Sequence, residues 1–295
     1  MRQAIRPSWH ILLLLVCLCL VPFAYNAQAQ SGAAAKAKSN KAAAKSGSPV
    51  KIRARASERE VNAKVPDDAA VEAIIAPYAP KVRALDVVIG KLATDLKKEG
   101  MGGGTMGNFV SDAIRASAEA KLGRPIALSF TNKGGLRKNE ITAGELSVRD
   151  IFDLMPFENA LVTIDLTGAQ VRRILEVMMA NDEPAESGAR IKFRRAGDKG
   201  YQIVDLKFIG ADGTEQPLDD AATYTILTTD YLLNRGGSYA VLKEGKNANP
   251  LGITIRDAVI NYVKDFAAKG KSVSVQLDGR YKGERPEDEQ GDRKQ

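Results

Sequence analysis

The stretch ALVTIDLTGAQVRRILEVMM, residues 160–179, decides the class of fold. Its opening ALVTIDL reads as a strand, Thr167 stands where it can cap, and Val171, Ile174, Leu175 and Met178 then recur at helical spacing. Downstream, ARIKFRR (189–195), YQIVDLKFIG (201–210) and TYTILTT (223–229) read as three strands, with turns at 211–213 and at Pro217. Upstream, NFVSDAIRASAEAK (108–121) is a helix behind a Thr105 cap, IALSF (126–130) a strand, and SVRDIFDLM (147–155) a short helix opened by Ser147. VEAIIAPYAPKVRALDVVIGKLATDL (71–96) reads as helix interrupted by Pro77 and Pro80. A final amphipathic helix lies in TIRDAVINYVKDFAAKG (254–270), with Ile255, Ala258, Val259, Tyr262, Val263 and Phe266 on one side. The pattern predicts an α+β domain: a layered α/β structure with a mixed sheet covered by helices.

Outside this body the composition changes. Arg2 and Arg6 precede the apolar run 11–24, a Pro and the small residues Ala27 and Ala29, which is the order of a secretory signal peptide over 1–29. Residues 30–64 are rich in Ala, Lys, Ser and Gly without apolar periodicity and read as a disordered basic linker. Residues 31–64 carry nine Lys or Arg against two Glu. The chain as a whole is +7, so residues 65–278, read as one domain, are left at −2. Residues 279–295 balance five basic against five acidic residues and read as a disordered charged tail. The expected location is periplasmic or extracellular. The basic arm suits an anionic envelope surface, whereas a body with no basic excess and 6% aromatic residues does not suit nucleic acid.

The rare residues restrict the chemistry. The one His, His10, and both Cys, Cys17 and Cys19, lie in the leader, so the rest of the chain has no imidazole and no thiol. Zinc sites, His-assisted nucleophiles and imidazole-containing dinuclear sites all need what is missing. No catalytic residue, metal site or cofactor is expected.

Four loops carry the remaining functional signals. GGGTMG (102–107) matches GxGxxG ahead of a helix, but KLATDLKKEG before it is not the buried strand that a dinucleotide fingerprint needs, so it reads as a turn that starts the helix. TNKGGLR (131–137) places Gly134 and Gly135 beside Arg137, whose fork suits a phosphate or carboxylate. MPFEN (155–159) puts Phe157 in a loop two residues from Asn159, a ring and an amide suited to a planar heterocycle. DYLLNRGGSY (230–239) adds Tyr231, Gly236, Gly237 and Tyr239 after a strand.

Taken in order, GNFVSDAIR, NKGGLR, PFEN, a TG-started helix ending near Ser187 and Gly188, and TDYLLNRGGSY resemble the C-terminal domain of the 5′-nucleotidase family, over about residues 85–268. In that family an N-terminal metallophosphatase domain holds two metal ions and a catalytic Asp-His pair, while the C-terminal domain clasps the nucleotide. The resemblance implies that Phe157 stacks on the base, Asn159 meets its edge, Arg137 with the Gly134–Gly135 turn lies near the phosphate, and Gly188 lines the base pocket.

This chain also departs from the family pattern. Ser238 stands where an Asp would bind the ribose, and an extra residue before Gly236 and Gly237 puts Leu232 at the second clamp position unless the loop shifts. KKEGMGGGTMG replaces a basic stretch, with Lys97 or Lys98 as candidate substitutes. With no metallophosphatase domain read ahead of the body, the expectation is an exported nucleotide- or nucleoside-binding domain that does not hydrolyse its ligand alone and whose catalytic partner is a separate metallophosphatase chain. The alternative is a degenerate envelope structural or interaction protein tethered by its basic arm.

Overall fold

The computed structural model describes residues 57–283 except Arg59, Val61, Ala63, Lys64, Asp182, Asp198, Lys199 and Ala211. The expected signal peptide and most of the expected basic linker lie outside the described residues. The unit that carries the elements below begins at Asp67.

In chain order the elements are α1 (Ala69–Ile75), α2 (Ala79–Arg83), β1 (Val88–Leu92), β2 (Leu96–Lys97), α3 (Gly104–Leu122), β3 (Leu128–Asn132), β4 (Glu140–Ile141), β5 (Gly144–Ser147), α4 (Val148–Leu154), β6 (Ala160–Thr167) and α5 (Gly168–Asn181). Then follow β7 (Pro184–Ser187), β8 (Ala189–Ala196), β9 (Gly200–Ile209), β10 (Glu215–Pro217), β11 (Thr223–Thr229), α6 (Asp230–Asn234), a 3-10 helix (Gly237–Glu244), β12 (Lys246–Thr254), α7 (Ile255–Ala268) and β13 (Tyr281–Gly283).

A five-stranded sheet, order β12-β6-β11-β3-β7, sits at the centre. Its β3 runs parallel to β11 while the β6–β11, β12–β6 and β3–β7 pairs are antiparallel, so the sheet is mixed as the sequence predicts. Every residue of β3 is buried because both faces of the sheet are covered. On one side, Phe109, Val110, Ala113 and Ile114 of α3 pack with Val259 and Val263 of α7 and Leu154 of α4. On the other, Ile174, Leu175 and Met178 of α5 fill the space toward a second sheet, order β10-β9-β8-β13. The helices over residues 147–155 and 254–270 start with capping boxes, Ser147 with Asp150 and Thr254 with Asp257.

Several expectations are corrected. The helical reading of 71–96 holds only to Arg83, because Val88–Leu92 and Leu96–Lys97 are strands. Gly90 is the physical reason: a Cβ there would stand 2.7 Å from Val263 Cγ1, so β1 lies flush on α7 where a bulkier backbone would not fit. Thr105 does not cap α3; the N-cap is Gly103 in left-handed conformation (φ 82), and the Thr105 hydroxyl instead accepts from Lys97 N–H at 2.8 Å.

The GxGxxG glycines serve packing. A Cβ on Gly102 would meet the Tyr281 ring at 2.5 Å, and one on Gly107 would meet the Gly102 carbonyl oxygen at 1.9 Å. That ring belongs to the segment expected to be disordered, which is a further correction: ordered structure does not stop at 278. β13 pairs parallel with β8 (Tyr281 with Ile191), the Tyr281 hydroxyl donates to the Pro184 carbonyl, and Arg280 is buried.

Arg280 holds this C-terminal strap. Its guanidinium donates to both carboxylate oxygens of Asp112 (3.1 and 3.2 Å), to both of Asp278 (3.0 and 2.9 Å), and to the backbone carbonyl of Glu186. The Glu186 side chain itself is enclosed: Oε2 accepts from Ala189 N–H and Oε1 has no hydrogen-bond partner among the described residues. Burial pushes its pKa from 4.5 to about 8, against the opposing pull of Arg280 and the Ala189 N–H and with a further push from Asp112 and Asp278. Between these values the folded chain keeps a proton that the unfolded chain releases, so the stability contribution is complete at low pH and is lost as pH rises. The melting temperature is expected to fall by roughly 5 °C or more between about pH 5 and pH 9, and Glu186→Gln to flatten that decline. Thermal melts at both pH values check it, and an undiminished slope in the variant would assign the dependence to other groups.

Candidate nucleotide site

Three loops converge at one end of the central sheet. The turn after β3 supplies Asn132, Gly134, Gly135 and Arg137, the loop after α4 supplies Phe157 and Asn159, and α6 supplies Tyr231. They line a cavity of about 350 Å³, within the usual range for a small-molecule site, roughly 300–1,000 Å³. The two rings are about half exposed, 45% for Phe157 and 46% for Tyr231, so each keeps an open face. The Arg137 guanidinium lies 5.8 Å from the Phe157 ring centre.

Tyr231 resolves the extra residue. Asp230, Tyr231 and Leu232 begin a short helix capped by the Thr229 hydroxyl, which sends Leu232 into the core, fully buried, and turns Tyr231 outward. The Asp230 carboxylate accepts from its own helix at Tyr231 N–H (2.7 Å) and from Ala160 N–H (3.0 Å), tying the tyrosine's helix to the end of the phenylalanine's loop. That loop is held from beneath by Arg256 of α7: it donates to Glu158 at 2.8 Å and to the Met155 carbonyl at 3.4 Å, and lies 3.9 Å from the Phe152 ring centre. The Asn159 carbonyl accepts from Ile255 N–H at 2.9 Å.

Gly134 and Gly135 are needed for space rather than for positive φ, since neither lies in the left-handed region. A Cβ on Gly134 would stand 3.2 Å from Asn132 Nδ2, and one on Gly135 3.4 Å from Asn132 Oδ1, so the glycines let the turn close over a buried amide. Asn132 is a lining residue that sequence reading missed; its only signal was a polar residue at the end of a buried strand.

Cations gather on the turn's side of the cavity. Lys98 Nζ donates to the Leu136 carbonyl at 2.6 Å, and partial burial followed by the charges of Lys133 and Arg137 holds its pKa below the ordinary lysine value. Lys133 is engaged by Glu183. Lys97 points to Glu140. Of the two candidate substitutes, Lys98 is therefore the one beside Arg137.

The other expected site residues lie elsewhere. Gly188 is not among the cavity's lining residues; its φ of 111 and the Ala127 carbonyl, 2.5 Å from where a Cβ would be, make it a tight passage between β7 and β8. Gly236 and Gly237 (φ 73 and 59) form the corner between α6 and the 3-10 helix and do not line the cavity, while Tyr239 is buried. Ser238 is exposed on that corner.

A sequence profile of the 5′-nucleotidase C-terminal domain matches residues 88–244, more than half of the chain. The chain belongs to that family. The trifunctional nucleotide phosphoesterase protein YfkN of Bacillus subtilis (strain 168) is 28% identical over 183 residues, 60% of this chain and 12% of that protein. A probable 5′-nucleotidase of Treponema pallidum is 27% identical over 145 residues, 46% of this chain and 24% of that one. Among solved structures, the 5′-nucleotidase precursor of Thermus thermophilus superposes with a TM-score of 0.63 at 26% identity, over 74% of this chain and 43% of that one. This 5′-nucleotidase C-terminal domain thus spans less than half the length of each of these proteins.

Proposed function

We propose that this domain binds a nucleoside or nucleotide in the 350 Å³ cavity, with the base between Phe157 and Tyr231, its edge toward Asn159 and Asn132, and a phosphate toward Arg137, with the charge of Lys98 nearby outside the lining. The observation that carries the reading is Tyr231 turned outward beside Phe157 while Leu232 fills the core. Two open aromatic faces suit a flat heterocycle, and a lysine whose charge is disfavoured by burial and then by neighbouring cations gains from an incoming anion. Ser238 leaves the ribose without the carboxylate that the family pattern supplies, so affinity rests on base and phosphate.

Binding without hydrolysis completes the proposal. Residues 30–295 contain no imidazole, and the metal-dependent cut is assigned to a separate metallophosphatase chain. The leader-like sequence 1–29, and relatives that include a cell wall protein of Listeria monocytogenes, support export. Among the described residues no helix is long and apolar enough to cross a membrane.

Calorimetric titration with AMP and adenosine tests the reading. Arg137→Ala is expected to weaken AMP roughly tenfold, the worth of a charge-assisted hydrogen bond, while leaving adenosine nearly unchanged. Phosphate release from AMP with added Mg²⁺, Mn²⁺ or Zn²⁺ is expected to stay at the buffer blank. Equal losses for both ligands would remove the phosphate assignment, and turnover by pure protein would overturn binding without hydrolysis.

A further inference from the structure

The first two helices bury nothing. Neither α1 nor α2 contains a buried residue, yet α1 carries Val71 (50% exposed), Ile74 (70%) and Ile75 (46%), the turn between the helices carries Tyr78 (62%), and α2 carries Val82 (47%). Val71, Ile74 and Ile75 stand at i, i+3 and i+4 on one side of α1, and Tyr78 and Val82 continue the run of exposed apolar residues past Pro77. Scattered apolar residues on a surface need no explanation, but five exposed within the segment 71–82 mark a contact surface. What fixes the segment to the body is peripheral to the stripe: Arg149 donates to Asp86 at 2.6 Å and to the Val82 carbonyl at 3.2 Å.

The chain that enters this stripe selects its occupant. Residues 31–64, nine basic against two acidic, run directly into it, and even with Asp67, Asp68, Glu72 and Asp86 counted against Lys81 and Arg83, residues 31–88 keep a net charge of +5. Asp68 is occupied as the α1 cap, accepting from Ala70 and Val71 N–H at the helix end, and Lys81 and Arg83 close the last turn of α2. An apolar helical face next to a polybasic arm is the pairing that holds proteins on anionic bilayers. Either signal alone gives marginal, reversible binding, and the two together give stable attachment.

We propose that residues 71–82 form an interfacial contact with an anionic phospholipid surface, seated by the basic arm, so that the nucleotide-binding domain works while held at a membrane. The proposal is independent of what the cavity binds, since no residue of the stripe lines it.

Vesicle flotation of the protein recovered after export tests it, with vesicles of phosphatidylcholine alone and of phosphatidylcholine with phosphatidylglycerol. Wild type is expected to float with the anionic vesicles at low salt and to detach at high salt. The double variant Ile74→Glu, Tyr78→Glu is expected to partition roughly tenfold less onto the same vesicles. Because both side chains are exposed, its circular dichroism and melting temperature should match wild type. Failure to bind anionic vesicles, equal binding by the variant, or binding indifferent to headgroup charge would each overturn the proposal. So would light scattering that shows a dimer broken by the same double variant, which would assign the stripe to a second copy of the chain.

Discussion

Alanine at position 280 is expected to cost this domain roughly 3 kcal/mol, and with it some 6–12 °C of melting temperature. The Arg280 guanidinium is the shared cation of Asp112 and Asp278 and the donor to the Glu186 carbonyl. Its removal leaves Asp112 and the buried carbonyl without their shared donor and Asp278 with Arg190 alone at 3.5 Å, though Asp112 and Asp278 keep about a third of their side chains in water, which limits the loss. Arg280→Lys should recover only part, because an ammonium cannot present the parallel donors that both carboxylates use. The effect reaches the strand pairing: without Arg280 the β13–β8 contact and the Tyr281 ring over Gly102 lose their anchor, and amide exchange along 281–283 should accelerate. Chemical and thermal unfolding of the three proteins checks the order wild type, lysine, alanine. An alanine variant as stable as wild type would show that the strap rests on Tyr281 alone.

The second large effect concerns the ligand. Base stacking on an aromatic side chain is worth about 1–3 kcal/mol per base, so Phe157→Ala and Tyr231→Ala are each expected to weaken nucleoside binding roughly 5- to 150-fold. Both rings are half exposed, so both variants should melt within about 1 °C of wild type. Leu232→Ala makes the contrast. It removes a fully buried side chain and should destabilise the fold by about 2–5 kcal/mol. Calorimetric titrations paired with thermal melts separate the two behaviours. Loss of binding in the leucine variant alone, with both aromatic variants intact, would move the base away from this cavity.

How much of this was legible in the residues depends on whether local sequence or distant packing set each feature. The α3, α5 and α7 stripes and the β6, β8, β9 and β11 strands were readable because periodicity and burial agree there. β1 was not, because VIGKL continues a helical pattern, while its strand form depends on antiparallel pairing with the distant β5 and on Gly90 fitting against Val263. β12 carries Pro250 and Gly252 and pairs with β6 through irregular register, so no alternation marked it. β13 is three residues in a charged tail and depends on Asp112, far away in sequence.

The site divides the same way. Phe157, Arg137 and Asn159 stand out in the sequence because each sits in a loop with its own chemical signature, and one cavity is lined by all three with Tyr231. Counting residues from the glycines pointed to Leu232, and what decides for Tyr231 is the helical turn capped by Thr229. Asn132 and Lys98 belong to the cavity's surroundings through the fold of the turn over them, which spacing alone does not encode.

The central claim is that the Phe157–Tyr231 cavity takes a nucleobase. A crystal structure of the protein with AMP tests it most directly. The account predicts the adenine ring between Phe157 and Tyr231 and the phosphate within hydrogen-bond reach of Arg137 or Lys98. Adenine seated elsewhere, for instance in the cavity lined by Arg115 and Tyr224, with the Phe157–Tyr231 cavity empty, would contradict it.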